Sequence, residues 1–285
     1  NVWQGAWKNL GFGMLTTRED IYAMAFGPDG RLYVAGELDL GFYSDSQVAY
    51  FENGRWNETG IKATYVTSMT RQGDELYVGG LNLTNYFGQV GKRAPILRGS
   101  GRDWTPLTYT SVTVNTEPYC YALHHDGTNL YAADYHYSYP SEPDVFRYNG
   151  SSWTALADNS YTATVYALGT YMGRLYRSGE RPWQVNHYAN PVQYWDGSGW
   201  PDAGWVDTND YAYSYSARAL SFCEFKGKYY AGQAFYDPYT ADSAKMQLLY
   251  RDGTSYYPGW QNVPGFVGMP NMMNKDNTGT RALCT

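Results

Sequence analysis

Five altered copies of one phrase, spread over almost the whole chain, limit what this sequence can fold into more than any other feature. The fullest copy is Ile21-Tyr-Ala-Met-Ala-Phe-Gly-Pro-Asp-Gly-Arg-Leu-Tyr-Val-Ala-Gly36. It returns as Val66-Thr-Ser-Met with Gly73-Asp-Glu-Leu-Tyr-Val-Gly-Gly80, and as Cys120-Tyr-Ala-Leu with Gly127-Thr-Asn-Leu-Tyr-Ala-Ala133. Two further copies are Val165-Tyr-Ala-Leu with Gly173-Arg-Leu-Tyr176, and Arg218-Ala-Leu-Ser with Gly227-Lys-Tyr-Tyr-Ala-Gly232. Aligned on Tyr33, Tyr77, Tyr131, Tyr176 and Tyr230, they are separated by 44, 54, 45 and 54 residues. A recurring unit of that size marks a repeat architecture, in which each unit buries its faces against its neighbours.

Each repeat has a second half. A short strand, a tight turn and a Trp-bearing strand follow in Ala49-Tyr-Phe-Glu-Asn-Gly-Arg-Trp56, Val145-Phe-Arg-Tyr-Asn-Gly-Ser-Ser-Trp153 and Gln193-Tyr-Trp-Asp-Gly-Ser-Gly-Trp200. Asn-Gly and Asp-Gly between apolar runs are hairpin turns, because Gly accepts positive φ without a steric cost. Every unit therefore reads as four short antiparallel strands, here A to D. The density of β-branched and aromatic residues argues against helical repeats of similar length. The expected fold is all-β, a β-propeller of four-stranded antiparallel blades at about 21–65, 66–119, 120–164, 165–216 and 217–270, all within one domain over 1–285.

The ends extend the pattern. Trp7-Lys-Asn-Leu-Gly-Phe-Gly-Met14 echoes Trp260-Gln-Asn-Val-Pro-Gly-Phe-Val-Gly-Met269, and Thr280-Arg-Ala-Leu-Cys-Thr285 echoes Ala217-Arg-Ala-Leu-Ser-Phe222. This predicts a split, reduced sixth blade closed by both termini (1–14 and 280–285), with a five-bladed ring as the alternative. The Leu-Tyr-Val-Gly-Gly80 strand, with the spacing of Tyr50 to Trp56 and Tyr194 to Trp200, resembles the kelch-type repeat. It is more similar still to the repeats of bacterial surface propellers and of the galactose-oxidase propeller. That resemblance implies architecture and little about activity. The copper ligands of galactose oxidase have no residue-by-residue counterpart, so no cofactor is expected.

Composition excludes several functions. The net charge is −6 and no Lys/Arg cluster is present, which argues against nucleic acid. No apolar run approaches the roughly 18 residues of a membrane span. Cys120, Cys223 and Cys284 are too few for a disulfide scaffold, although Cys223 and Cys284 could bridge. Asn57-Glu-Thr, Asn82-Leu-Thr and Asn149-Gly-Ser are glycosylation sequons. Low charge, abundant Tyr and Asn and the absence of an initiating Met suggest an extracellular or cell-surface protein.

The A–B and C–D turns are short, while the B–C and D–A connections are long and aromatic, so one face gathers the long loops. Long loops on a rigid scaffold are where binding residues are placed. The candidate ligand-binding residues there are Tyr135, Tyr137, Tyr139, Trp183, His187, Tyr188, Tyr236 and Tyr239. Tyr and Trp stack on sugar rings and anchor protein interfaces alike. The leading expectation is thus a non-catalytic recognition protein for a glycan or an extracellular protein.

The alternative is a carbohydrate-active hydrolase using Glu37, Asp134 and Glu180, which follow their B strands and suit an acid–base pair. A second alternative is a structural surface protein that self-assembles through its terminal strands. His124 and His125, near a short turn on the opposite face, are expected to be solvated. His136 and His187 give too sparse a ligand set to predict a metal.

Overall fold

A computed structural model describes residues 2–3, 7–8, 21–36, 38, 46–85, 90–109, 119–134, 143–157, 164–180, 191–205, 218–234, 246–253 and 260–263. The fold is all-β, five antiparallel sheets arranged as a five-bladed β-propeller. A hairpin of β1 (Val2–Trp3) and β2 (Trp7–Lys8) precedes the first blade. Blade 1 is β3 (Ile21–Phe26), β4 (Leu32–Gly36), β5 (Val48–Glu52) and β6 (Arg55–Glu58). Blade 2 is β8 (Tyr65–Gln72), β9 (Glu75–Asn85), β10 (Val90–Ser100) and β11 (Asp103–Leu107), and β7 (Ile61–Lys62) also pairs with β9. Blade 3 is β12 (Cys120–His125), β13 (Leu130–Asp134), β14 (Val145–Tyr148) and β15 (Trp153–Ala155). Blade 4 is β16 (Thr164–Tyr171), β17 (Arg174–Glu180), β18 (Pro191–Tyr194) and β19 (Asp202–Trp205). Blade 5 is β20 (Arg218–Phe225), β21 (Lys228–Ala234), β22 (Met246–Arg251) and β23 (Gln261–Asn262).

Each blade takes its four strands from its own repeat, including the outer strand of blade 5 and the inner strand of blade 1. No blade therefore needs a strand lent by a terminus. The expected split sixth blade gives way to the five-bladed alternative, and the N-terminal strand pairs within its own hairpin. Residues 280–285 lie outside the described residues.

The chain divides into two compact units, one holding blades 1 and 2 and the other blades 3 to 5. In the first, Ala35, Val48, Val66, Leu76, Val78 and Trp104 form a buried cluster between the two sheets. In the second, Ala122, Tyr131, Val165, Leu168 and Trp200 fill the blade 3–4 junction, and Tyr171, Tyr176, Phe222, Tyr229 and Trp260 the blade 4–5 junction. Blades can pack this closely because small residues stand where the neighbour presses in. A Cβ on Gly169 would run into the Tyr229 hydroxyl and come within 2.7 Å of the Phe222 Cβ. The repeat also carries a shared irregularity. The A–B pairing slips by a bulge at Ile21/Ala23, Val66/Ser68, Val165/Ala167 and Ala219/Ser221, so the inner strands of blades 1, 2, 4 and 5 bend at the same place.

The second-half motif is explained by cross-strand pairing. Phe51 sits opposite Trp56 and Tyr148 opposite Trp153, with ring centroids 5.2 and 5.0 Å apart. Tyrosine hydroxyls tie one blade to the next. Tyr33 Oη accepts from Gly101 N–H at 2.7 Å and donates to Asp29 at 2.7 Å, and burial pushes its phenol up to about 12. Tyr171 Oη accepts from Gly253 N–H at 3.0 Å and donates to the Gly227 carbonyl at 2.8 Å, so blade 4 closes two turns of blade 5. Tyr171→Phe strips both turn groups of their partner. It is expected to cost about 2 kcal/mol in a urea titration, with an unchanged m-value.

Candidate functional site

Local sequence builds the short turns in a uniform way. Asp126 Oδ1 accepts from Thr128 and Asn129 N–H, Asn149 Oδ1 from Ser151 and Ser152, and Asp196 Oδ1 from Ser198 and Gly199, all at 2.7–3.0 Å. These side chains cap their own turns. The backbone N–H of Ser198, with Gly199 beside it, holds the exposed Asp196 carboxyl below the ordinary carboxylate range.

At the opposite strand ends the B strands of neighbouring blades 3 and 4 both finish on an acid, β13 on Asp134 and β17 on Glu180. Asp134 is buried, and its N–H donates to the Asp144 carbonyl at 2.9 Å, which sets the two aspartates side by side where β13 and β14 begin to pair. Glu180 pairs through its backbone with Thr164. Glu37 lies outside the described residues, as do Tyr135, Tyr137, Tyr139, Trp183, His187, Tyr188, Tyr236 and Tyr239, together with His136 and Cys284. Asp134 and the strand position of Glu180 are thus what the structure places of the predicted set. Among the described residues no three His, Cys, Asp or Glu come together as a metal-ligating group.

A polar chain that the sequence reading missed runs beneath these acids. Gln193 Nε2 donates to Asp202 Oδ1 at 3.1 Å, and Arg177 Nε donates to Gln193 Oε1 at 3.0 Å. Arg177 Nη1 then lies 3.8 Å from Asp144 Oδ2, while the guanidinium lies 4.3 Å from the centroid of the Trp200 ring. Arg177 and Asp144 both have 0 % of their surface exposed, so the ion pair is fully enclosed. One signal could have revealed it. Arg177 occupies the repeat position held by Val34, Val78, Ala132 and Ala231 in the other blades, a buried apolar position. A charge there demands an internal partner.

The histidine expectation needs correcting. His124 is not solvated: it stands on β12 and its Nε2 lies 2.7 Å from Thr170 Oγ1 on β16 of the next blade. Enclosure by that blade lowers its pKa to about 4, with the Asp126 carboxylate opposing and His125 adding to the shift. His125 accepts from Gly127 N–H through Nδ1, and burial lowers its pKa too.

Because the folded-state pKa of His124 is depressed, its contribution is fully present above the unfolded pKa near 6.5. It is lost as pH falls toward 4, where the unfolded chain takes a proton that the folded ring refuses. The loss is about 2 kcal/mol once partial exposure is allowed for. Urea midpoints measured at pH 7.5 and 4.5 should show a smaller acid loss in His124→Gln than in the unmodified chain.

No family model and no curated protein matches this chain. Among solved structures, one similar to it is an oxidoreductase named as a glucose dehydrogenase from Thermus thermophilus. The TM-score is 0.52 at 13% identity, over 94% of this chain and 87% of that one. An α-L-arabinofuranosidase from Clostridium thermocellum matches with a TM-score of 0.43 at 13% identity, over 89% of this chain and 94% of that one. A glycoside hydrolase family 43 β-xylosidase/α-arabinofuranosidase from a compost microbial metagenome matches with a TM-score of 0.43 at 10% identity, over 89% and 98%.

At 13% identity the first of these likenesses speaks for the fold alone, and none of the three is a kelch or galactose-oxidase protein. The expectation of a non-catalytic recognition protein is corrected here. Solved structures that match the chain include glycoside hydrolases, which are enzymes, so the non-catalytic main reading is not kept.

Proposed function

We propose that this chain is a carbohydrate-active hydrolase whose acids are drawn from the loop-side ends of the B strands. The observation that carries the reading is the placement of Asp134 and Glu180 as the last residues of β13 and β17 in adjacent blades, at the edge where the long connections begin. Glycoside cleavage needs two carboxyl groups flanking the scissile bond, one to protonate the leaving oxygen and one to act as base or nucleophile. A rigid pair of sheets suits that task, since it fixes the spacing of the acids without help from the substrate. The buried Arg177–Asp144 pair stiffens the junction from below. The B–C stretches are rich in Tyr and Trp by sequence, residue types that stack on sugar rings, and an extracellular location fits such a substrate.

The test is turnover. The purified chain is incubated with arabinoxylan, xylan and aryl glycosides of arabinofuranose and xylose, the substrate types suggested by the names of the matched hydrolases. Released reducing sugar is then measured. Product that grows with time and enzyme supports the hydrolase. Tight glycan binding with no product from any of these substrates would sink it.

A further inference from the structure

Three sequons occur in the chain, and the fold treats them differently. Asn57 lies on β6, half-buried, with Nδ2 donating to the Arg55 carbonyl at 3.2 Å, and its sequon Thr59 is fully buried, with Oγ1 donating to the Val48 carbonyl. Asn82 lies inside β9 at φ 58°, with Nδ2 donating to Thr64 Oγ1 at 3.3 Å, and its Thr84 hydroxyl donates to the Lys62 carbonyl. Both are built into sheets.

Asn149 is exposed, at the C–D turn of blade 3. Its Oδ1 accepts from Ser151 N–H at 3.0 Å and from the Ser151 hydroxyl at 2.9 Å, as well as from Ser152. Among the described residues no acceptor takes Nδ2. The sister turns show what this turn requires: Asp126 and Asp196 cap theirs through Oδ1 in the same way, and they have no amide at all. The amide nitrogen of Asn149 is therefore surplus to the fold.

We infer that Asn149 is an N-glycan acceptor and that Asn57 and Asn82 are not. The side chain already sits in a turn in which the sequon hydroxyl bonds to the amide oxygen. That bond draws charge toward Oδ1 and makes the Nδ2 hydrogens more acidic, which eases the loss of one of them to a base. The hydrogen bonds involved span two or three residues, so they form in the nascent chain before any sheet exists. In the transfer, the bond between Nδ2 and C1 of the sugar forms as the C1–O bond of a lipid-linked oligosaccharyl pyrophosphate breaks. The pyrophosphate leaves with the electron pair, and one Nδ2 proton passes to a base of the transferase. The second Nδ2 hydrogen stays in place, and the Oδ1 cap is untouched.

Asp144 and Asn149 flank the four-residue β14 at opposite ends, about 13 Å of strand at the usual rise. A glycan at Asn149 therefore projects from the short-turn end and leaves the Asp134–Asp144 end open.

The full chain, placed behind a signal peptide, is translated with and without endoplasmic-reticulum microsomes beside a control sequon protein. Intact glycopeptides are then mapped by mass spectrometry. The expected result is a one-glycan gel shift located at Asn149, lost entirely in Asn149→Gln and in Ser151→Ala. Asn149→Asp should lose the glycan and keep the melting temperature, since aspartate caps the sister turns. An unshifted chain in a reaction that modifies the control, or a shift that survives Asn149→Gln because Asn57 or Asn82 carries it, overturns the inference.

Discussion

Asp134→Asn and Glu180→Gln are each expected to lower glycoside turnover by about 10³-fold while leaving the fold intact. Each amide matches its acid in shape and volume, which matters for Asp134 because only 4 % of its surface is exposed. An amide cannot take or give the proton that glycosidic cleavage moves. The variant lacking the general acid should recover on substrates with a good leaving group, which need no protonation. The variant lacking the base or nucleophile should not. In each case the pH profile should lose one limb of its bell, a change that a purely structural defect would not produce. Unchanged kcat in both variants would remove these acids from the reaction.

Arg177→Met is expected to destabilise the protein by about 3–5 kcal/mol, a drop in melting temperature on the order of 10 °C. The ion pair of Arg177 with Asp144 is completely enclosed, and the same guanidinium is held by Gln193 and packed on Trp200. Removing the arginine takes the ion-pair partner from a fully buried Asp144 carboxylate, and the desolvation of that charge is the larger part of the cost. The pair itself adds little net stability, so the double variant Arg177→Met/Asp144→Asn should recover much of the loss. A single variant that melts within about 2 °C of the unmodified chain, as a difference on the order of 1 kcal/mol would give, shows that water reaches the cluster.

The two missed features share one cause. Arg177 and Asp144 stand in different repeats, and nothing local pairs them. Arg177 could be suspected from the Val or Ala of its sister repeats, but its partner could not. His124 looked solvated because it adjoins a short turn, whereas its burial is set by β16 of the next blade. In both cases the neighbouring sheet decides the environment. A period-two pattern says which way a side chain points, not what it meets.

What the chain's own order determined is everything that repeats or closes over a few residues. The Tyr anchors, the strand alternation and the Asp/Asn-capped turns follow from spacing and short-range hydrogen bonds, and the structure keeps all of them. The choice of five blades over five plus a split sixth, the Tyr171 link between blades 4 and 5, the enclosed Arg177–Asp144 pair and the depressed pKa of His124 were decided only in three dimensions. These features depend on which faces meet, and burial between sheets brings together residues whose separation in sequence carries no signal of their contact.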